Sequence, residues 1–164
     1  MLPECLRPVI LDNIDWFSDN IFDENEEFLS LDELKMSGTL KQKFNKLKVG
    51  EKNYTFMYFF CIAGLPPIGQ GEELYNVDLI VESQNIEFFQ NHYDIGKKFL
   101  QFSSIEGGGS YFYNLHTDEV YDVEFGQLED MICGKTKPWF RTFYNFLDWY
   151  YSDKPDPAGK WTSG

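Results

Sequence analysis

Two histidines, three cysteines and a large surplus of carboxylates are what this chain offers for catalysis or metal binding. His116 stands beside Asp118 and Glu119, so a histidine–carboxylate acid–base pair can be drawn there. Residues 116–119 have turn composition, however, and neither a nucleophile motif nor a second histidine accompanies them, so a turn is the simpler reading. His92 follows a helical pattern, where a cation near the C-terminal dipole is a sufficient explanation. Cys5, Cys61 and Cys133 are an odd number without CxxC spacing, which suggests neither a disulfide framework nor a zinc knuckle. They read as reduced thiols, with Cys61 in the core. Neighbouring acids such as Glu72 and Glu73 are no evidence of glycoside hydrolysis, because 27 acids in 164 residues generate such pairs by chance. The glycine clusters Gly69-Gln70-Gly71 and Gly107-Gly108-Gly109 are followed by neither the GK[ST] of a phosphate loop nor a helix-opening GxGxxG, and tight turns explain both. No catalytic residue, metal site, cofactor or small-molecule substrate is expected.

The elements around these residues follow from periodicity. Residues 39–48 read as a helix: Thr39 and Gln42 form a capping box, Leu40, Phe44 and Leu47 share a face, and Gly50 can close the end. The apolar run 54–62 fits a buried helix or a strand equally, and Gly64, Pro66 and Pro67 terminate it. Asn76 is a plausible N-cap for a helix reaching about Gln90, with Val77, Ile80, Val81 and Phe88 on one face. From Phe99 the period changes to short aromatic and β-branched runs at 99–104, 110–115 and 120–125, which predicts an antiparallel meander. Pro138 then opens a predicted helix over 139–151, where Arg141, Asn145 and Asp148 form a narrow polar stripe on an otherwise aromatic and leucine-rich surface. Residues 152–164, with Pro155, Pro157 and Gly159, read as a C-terminal tail.

The length predicts one domain with one core. Leu, Ile, Val and Phe fill 47 positions, which is too apolar for a disordered chain. With only two alanines, the core must be built from Phe and Tyr. No apolar run approaches the ~18 residues of a membrane span. Pro3, Glu4, Pro8, Asp12 and Asp15 occupy the place where a signal peptide needs a basic end and an apolar stretch, so a cytoplasmic protein is expected.

Charge is the feature that points to a partner. The net charge is −13, with 12 Lys and 2 Arg against 27 acids, and this opposes binding to a phosphate backbone. Aromatic residues interleaved with cations, as in a single-strand channel, are not found around Phe112 and Tyr113. Nucleic acid and membrane are therefore not expected partners. The acids are unevenly placed: residues 1–40 carry ten against Arg7 and Lys35, and residues 61–95 carry six with no Lys or Arg. Residues 41–60 reverse the sign, with five lysines and one acid.

The order of helix, Gly-Pro break, Leu-Tyr and helix, then strand, acidic-glycine turn, aromatic strand, Asp-x-Val-Tyr strand and aromatic helix is similar to the SUKH superfamily, the Smi/Knr-type fold. The residues that carry it are Ala63-Gly64-Leu65-Pro66, Glu73-Leu74-Tyr75-Asn76, Phe99-Leu100-Gln101-Phe102, Glu106-Gly107-Gly108-Gly109-Ser110-Tyr111-Phe112-Tyr113-Asn114-Leu115, Thr117-Asp118-Glu119-Val120-Tyr121 and Phe143-Tyr144-Asn145-Phe146-Leu147. The resemblance covers about residues 40–151. It implies an α+β domain with a central, mostly antiparallel sheet and surrounding helices, and no active site. Residues 39–151 would form that domain, with 1–38 as an acidic N-terminal extension packed on it.

Most bacterial proteins of this type are immunity proteins that bind a cognate polymorphic or contact-dependent toxin domain, often a nuclease or deaminase; others are signalling scaffolds. A toxin that acts on nucleic acid needs a basic surface, which an acidic protein can cover. The expected function is thus a non-catalytic immunity protein, with a scaffold or regulatory interaction module as the alternative and an enzyme the least supported. The expected partner contacts are the acids least compensated by lysine: Asp23, Glu24, Glu26 and Glu27 in the extension, Glu72 and Glu73 after the Gly-Pro break, and Glu106, Asp118 and Glu119 in the turns of the meander.

Overall fold

The computed structural model describes residues 2–17, 21–30, 33, 42, 50–83, 98–105 and 107–157. Its helices are α1 (Leu6–Asp12), α2 (Tyr54–Ile62), α3 (Val77–Ser83), α4 (Leu128–Ile132) and α5 (Phe143–Tyr150). Its strands β1 (Phe99–Gln101), β2 (Gly109–Asn114) and β3 (Val120–Glu124) form an antiparallel sheet in the order β1-β2-β3. The chain is therefore α+β, and the expected meander is present.

Side-chain alternation on the strands sorts the core into two layers. Leu100 and Phe102, with Tyr111 and Tyr113, turn to one face and join the main cluster with α1, α2 and α5. Phe99, Phe112, Tyr121 and Val123 turn to the other, where Leu128 and Met131 of α4 cover them. Register fixes this sorting: Leu100 pairs with Tyr113 and Phe112 with Tyr121. With both faces covered, every residue of β2 is buried. Both edges are partly protected too. On the β1 side, Leu74 bridges Ser103, Tyr75 N–H donates to the Phe102 carbonyl at 2.9 Å and Ser104 N–H to the Glu73 carbonyl at 2.8 Å. Ser103 also turns its Oγ to accept the Tyr111 N–H at 2.8 Å, so regular strand pairing stops at Gln101 rather than at residue 104.

The apolar run 54–62, open between helix and strand by its periodicity, is the helix α2. It is buried around most of its circumference, with Phe56, Tyr58, Phe59, Phe60, Cys61 and Ile62 all inside. Phe56 stacks on Tyr113 of the sheet at 4.0 Å between ring centroids and 8° between planes, and meets Phe143 of α5 edge-on at 5.0 Å. Phe102 meets Phe143 and Phe146 edge-on at 5.6 and 5.3 Å. These are offset and edge-to-face geometries, each worth about 0.5–1.5 kcal/mol beyond the area buried.

The C-terminal helix is shorter than expected. Trp139 lies in a bend and Phe140 in an isolated bridge, because Val120 claims them: its N–H donates to the Phe140 carbonyl at 2.9 Å, and its carbonyl accepts from Trp139 N–H at 2.8 Å and Phe140 N–H at 3.1 Å. Pro138 thus precedes an added piece of sheet edge and does not open the helix. The helix starts instead at Thr142, whose Oγ1 accepts the Asn145 N–H at 3.1 Å. Phe143 and Leu147 are fully buried, as their positions predict.

Asn76 does cap α3, its Oδ1 accepting the Leu79 N–H at 2.9 Å; the part of that predicted helix beyond Ser83 lies outside the described residues. So do His92 and, apart from Gln42, the predicted helix at 39–48. The Gly107-Gly108 pair is a turn with φ of 59° and 82°. Gly69 and Gly71 have another role. A Cβ at Gly69 would lie 2.2 Å from the Tyr150 carbonyl oxygen, and one at Gly71 would lie 2.4 Å from the Tyr111 hydroxyl, so close packing on aromatic residues requires them. At the N-terminus, Leu2, Leu6, Ile10, Phe17 and Ile21 are buried in the main cluster, and Phe17 bridges Ala63 after α2. Among the described residues, no helix is long and apolar enough to cross a membrane.

Candidate interaction surface

Four of the acids expected to meet a partner share one turn. Phe22 bridges Phe28, Leu29 N–H donates to the Ile21 carbonyl at 2.9 Å, and the residues between double back. Asp23 organises the reversal. Its Oδ1 accepts the Asn25 and Glu27 N–H groups at 2.8 and 3.0 Å, while its carbonyl accepts Glu26 N–H at 3.0 Å. This is the chemistry that favours Asp at the first position of a type I turn. The chain then needs a left-handed residue to rejoin the partner segment, a place usually taken by glycine; here Glu26 takes it, at φ 60°.

Among the described residues, Arg7 is the cation that holds this turn to α1. The Arg7 guanidinium lies 5.0 Å from the Phe22 ring centroid and 5.1 Å from that of Phe28. It also donates to the Glu26 carbonyl and pairs with Glu27 at 3.9 Å and Glu4 at 3.7 Å. Arg suits this position because a planar guanidinium can stack on rings and donate in plane together. Asp23, Glu24, Glu26 and Glu27 remain exposed on the outer side of the turn. The sequence reading missed Arg7. Its available signal was a lone Arg in an acid-rich stretch, followed by two Phe residues flanking an Asp-Glu-Asn-Glu-Glu run.

The other expected contacts are placed elsewhere. Glu72 is half-buried, with Oε2 accepting the Ser103 hydroxyl at 3.3 Å; its N–H donates to the Tyr111 hydroxyl at 3.0 Å and its carbonyl accepts the Tyr150 hydroxyl at 2.6 Å. Glu73 is exposed. Asp118 and Glu119 lie at the other end of β2. Asp118 points inward, Oδ1 accepting the Tyr113 hydroxyl at 2.6 Å and Oδ2 the Phe143 N–H at 3.4 Å, which ties the β2–β3 turn to the start of α5. Burial raises its pKa above the ordinary carboxylate value, and these two donors only partly offset that. Glu119 accepts from Thr117 Oγ1 at 2.8 Å and Tyr121 at 3.3 Å. Glu106 lies outside the described residues. Among the described residues the acids therefore do not all share one element: the 23–27 turn gathers four, and Asp118 and Glu72 are bonded into the fold.

The chemistry of the other groups is restrained by the same burial. Asp118 and Glu119, the carboxylates nearest His116 in sequence, bond to Tyr113, Phe143, Thr117 and Tyr121, while Asn114 Oδ1 accepts the His116 and Thr117 N–H groups at 2.8 and 3.3 Å and shapes the turn. Burial pushes the Cys5 and Cys61 thiols up to about 11, which holds them protonated and unreactive at neutral pH. Among the described residues, no group of three or more His, Cys, Asp or Glu is placed to hold a metal ion. Comparison with known protein families, characterised proteins and solved structures returns no match to this chain.

Proposed function

We propose that this chain is a non-catalytic immunity protein of the SUKH, or Smi/Knr, type: a cytoplasmic α+β domain that binds and neutralises a toxin domain whose own basic surface acts on nucleic acid. The observation that carries the reading is the 22–28 turn. Four exposed acids are presented there on a backbone that Asp23 folds and Arg7 fixes, in a chain of net charge −13. A charged loop held in advance loses little conformational freedom on binding and raises the encounter rate with a positively charged protein. The α+β architecture and the order of the meander and aromatic helix support the family assignment.

Co-purification tests the proposal. The reading frame beside this one should encode a large secreted protein with a variable C-terminal domain. That domain, co-expressed with this chain, should form a stoichiometric complex and lose its toxicity. His116→Ala should protect as well as the wild type. Failure of the neighbouring domain to bind, or loss of protection in a folded His116→Ala variant, would overturn the reading; a scaffold function would show instead as binding to host proteins without any protective effect.

A further inference from the structure

A second surface carries the opposite character. Val9, Asp12, Asn13 and Trp16, at helical spacing along and just beyond α1, line an open cleft of about 630 Å³ together with Pro67, Ile68, Tyr150 and Tyr151. Trp16 is 43% exposed, Ile68 67%, and Leu65, whose N–H donates to the Trp16 carbonyl at 3.2 Å, 59%. Single exposed apolar residues are ordinary on any protein, but Trp16 and Ile68 share one cleft, and Leu65 is tied by its backbone to Trp16. The walls are fixed in place. Tyr151 Oη donates to the Pro67 carbonyl at 2.8 Å, Gln70 N–H to the Tyr150 carbonyl at 2.9 Å, and the Gln70 amide to the Lys154 carbonyl at 3.0 Å. The cleft is thus already shaped for an occupant.

Charge says which occupant. Asp12 and Asp153 stand in the lining, whose described residues include no Lys or Arg, and Lys154 beside it is paired with Asp148. We propose that this cleft docks a segment of a protein partner in which a large apolar side chain seats against Trp16, Ile68 and Tyr151 while an adjacent Lys or Arg meets Asp12 and Asp153. The proposal rests on the protein-binding reading above and assigns it a second contact. A second copy of the chain is disfavoured, since it would bring another acidic molecule against these carboxylates, and an anionic lipid surface is disfavoured for the same reason.

Selection from a random 12-residue peptide library displayed on phage, with the full-length chain as bait, tests this without knowledge of the partner. Enriched peptides should place a Trp, Phe or Leu next to Lys or Arg. Their binding should fall by about tenfold or more on Ile68→Asp and on the double variant Asp12→Lys with Asp153→Lys. All three sites are exposed, and circular dichroism checks that the variants fold. Peptides that still bind Ile68→Asp, or that carry acidic consensus sequences, overturn the proposal. Peptides lost only on Glu24→Lys with Glu26→Lys would overturn the cleft while leaving the protein-binding reading intact. Enrichment of nothing would overturn the cleft as well, and the co-purification above would then judge the wider reading alone. Binding seen only in a Trp161→Ala chain would assign the cleft to this protein's own C-terminal residues, and a dimer in sedimentation that Ile68→Asp abolishes would assign it to a second copy; either result contradicts the proposal.

Discussion

The aromatic core and the acidic turn hold their shape by opposite means. Around Phe143, the rings of Phe56, Phe102, Tyr113 and Phe146 meet within 5.6 Å between centroids, so position follows from many contacts and no single one is indispensable to the geometry. In the 22–28 turn, one aspartate folds the backbone and one arginine anchors it. Dense packing tolerates little change in volume, whereas the exposed side chains of the turn are constrained chiefly by Asp23, Arg7 and the left-handed backbone at Glu26. That division would let the proposed recognition surface vary while the aromatic core stays constant.

The largest expected effect lies in the core. Phe143→Ala should cost about 3–5 kcal/mol in urea unfolding, a large share of a typical 5–15 kcal/mol, and Leu147→Ala should fall in the same range. A loss below about 1 kcal/mol at Phe143 would mean that α5 is not packed as described. Arg7→Ala comes next, at about 1–2 kcal/mol, from the cation–π contact and the charge-assisted hydrogen bond it removes. Its more telling readout is local: amide exchange at Asp23 and Leu29 should accelerate while that of β2 is unchanged, and an unchanged turn would contradict the anchoring role.

Asp118 gives a smaller effect with a defined sign. Its pKa is raised by folding, so the native state holds the proton more tightly than the unfolded chain. Its contribution to stability is fully present at pH below the unfolded value and is lost as pH rises through the folded one. The stability of the wild type relative to Asp118→Asn should therefore decline between about pH 4 and pH 7, as urea midpoints at both pH values would show. A decline in the other direction would place the carboxylate in a more favourable electrostatic setting than burial allows. Smallest is the double substitution Glu24→Lys and Glu26→Lys, which should move stability by no more than about 0.5 kcal/mol because both side chains are exposed.

The same contrast explains what was legible in the sequence. Alternating aromatics at 110–115 and 120–125 were legible as strands, and the cap at Asn76 is local chemistry, whereas the cap at Thr142 was missed because Val120 captures Trp139 and Phe140 from a distant strand. The run 54–62 had no polar side to give its period, since α2 is enclosed by sheet and helix together. For the surface, composition located the acids but not their fates. Asp118 reads as an exposed turn acid, yet Tyr113 and the Phe143 amide draw it inward, and no local pattern encodes that. Arg7 and the 22–28 turn are separated by about 20 residues of chain, and Trp16 comes to line one cleft with Ile68 only once the fold is formed.

The central claim is that the acidic turn steers a basic protein partner, and the association rate with the co-purified toxin domain between about 50 and 300 mM salt tests it most directly, because the Debye length shrinks from roughly 14 to 6 Å over that range. The wild-type rate should fall steeply with salt, and the Glu24→Lys, Glu26→Lys variant should associate more slowly at low salt with a flatter dependence. A wild-type rate that stays constant from 50 to 300 mM would contradict electrostatic steering and leave the apolar cleft to account for recognition.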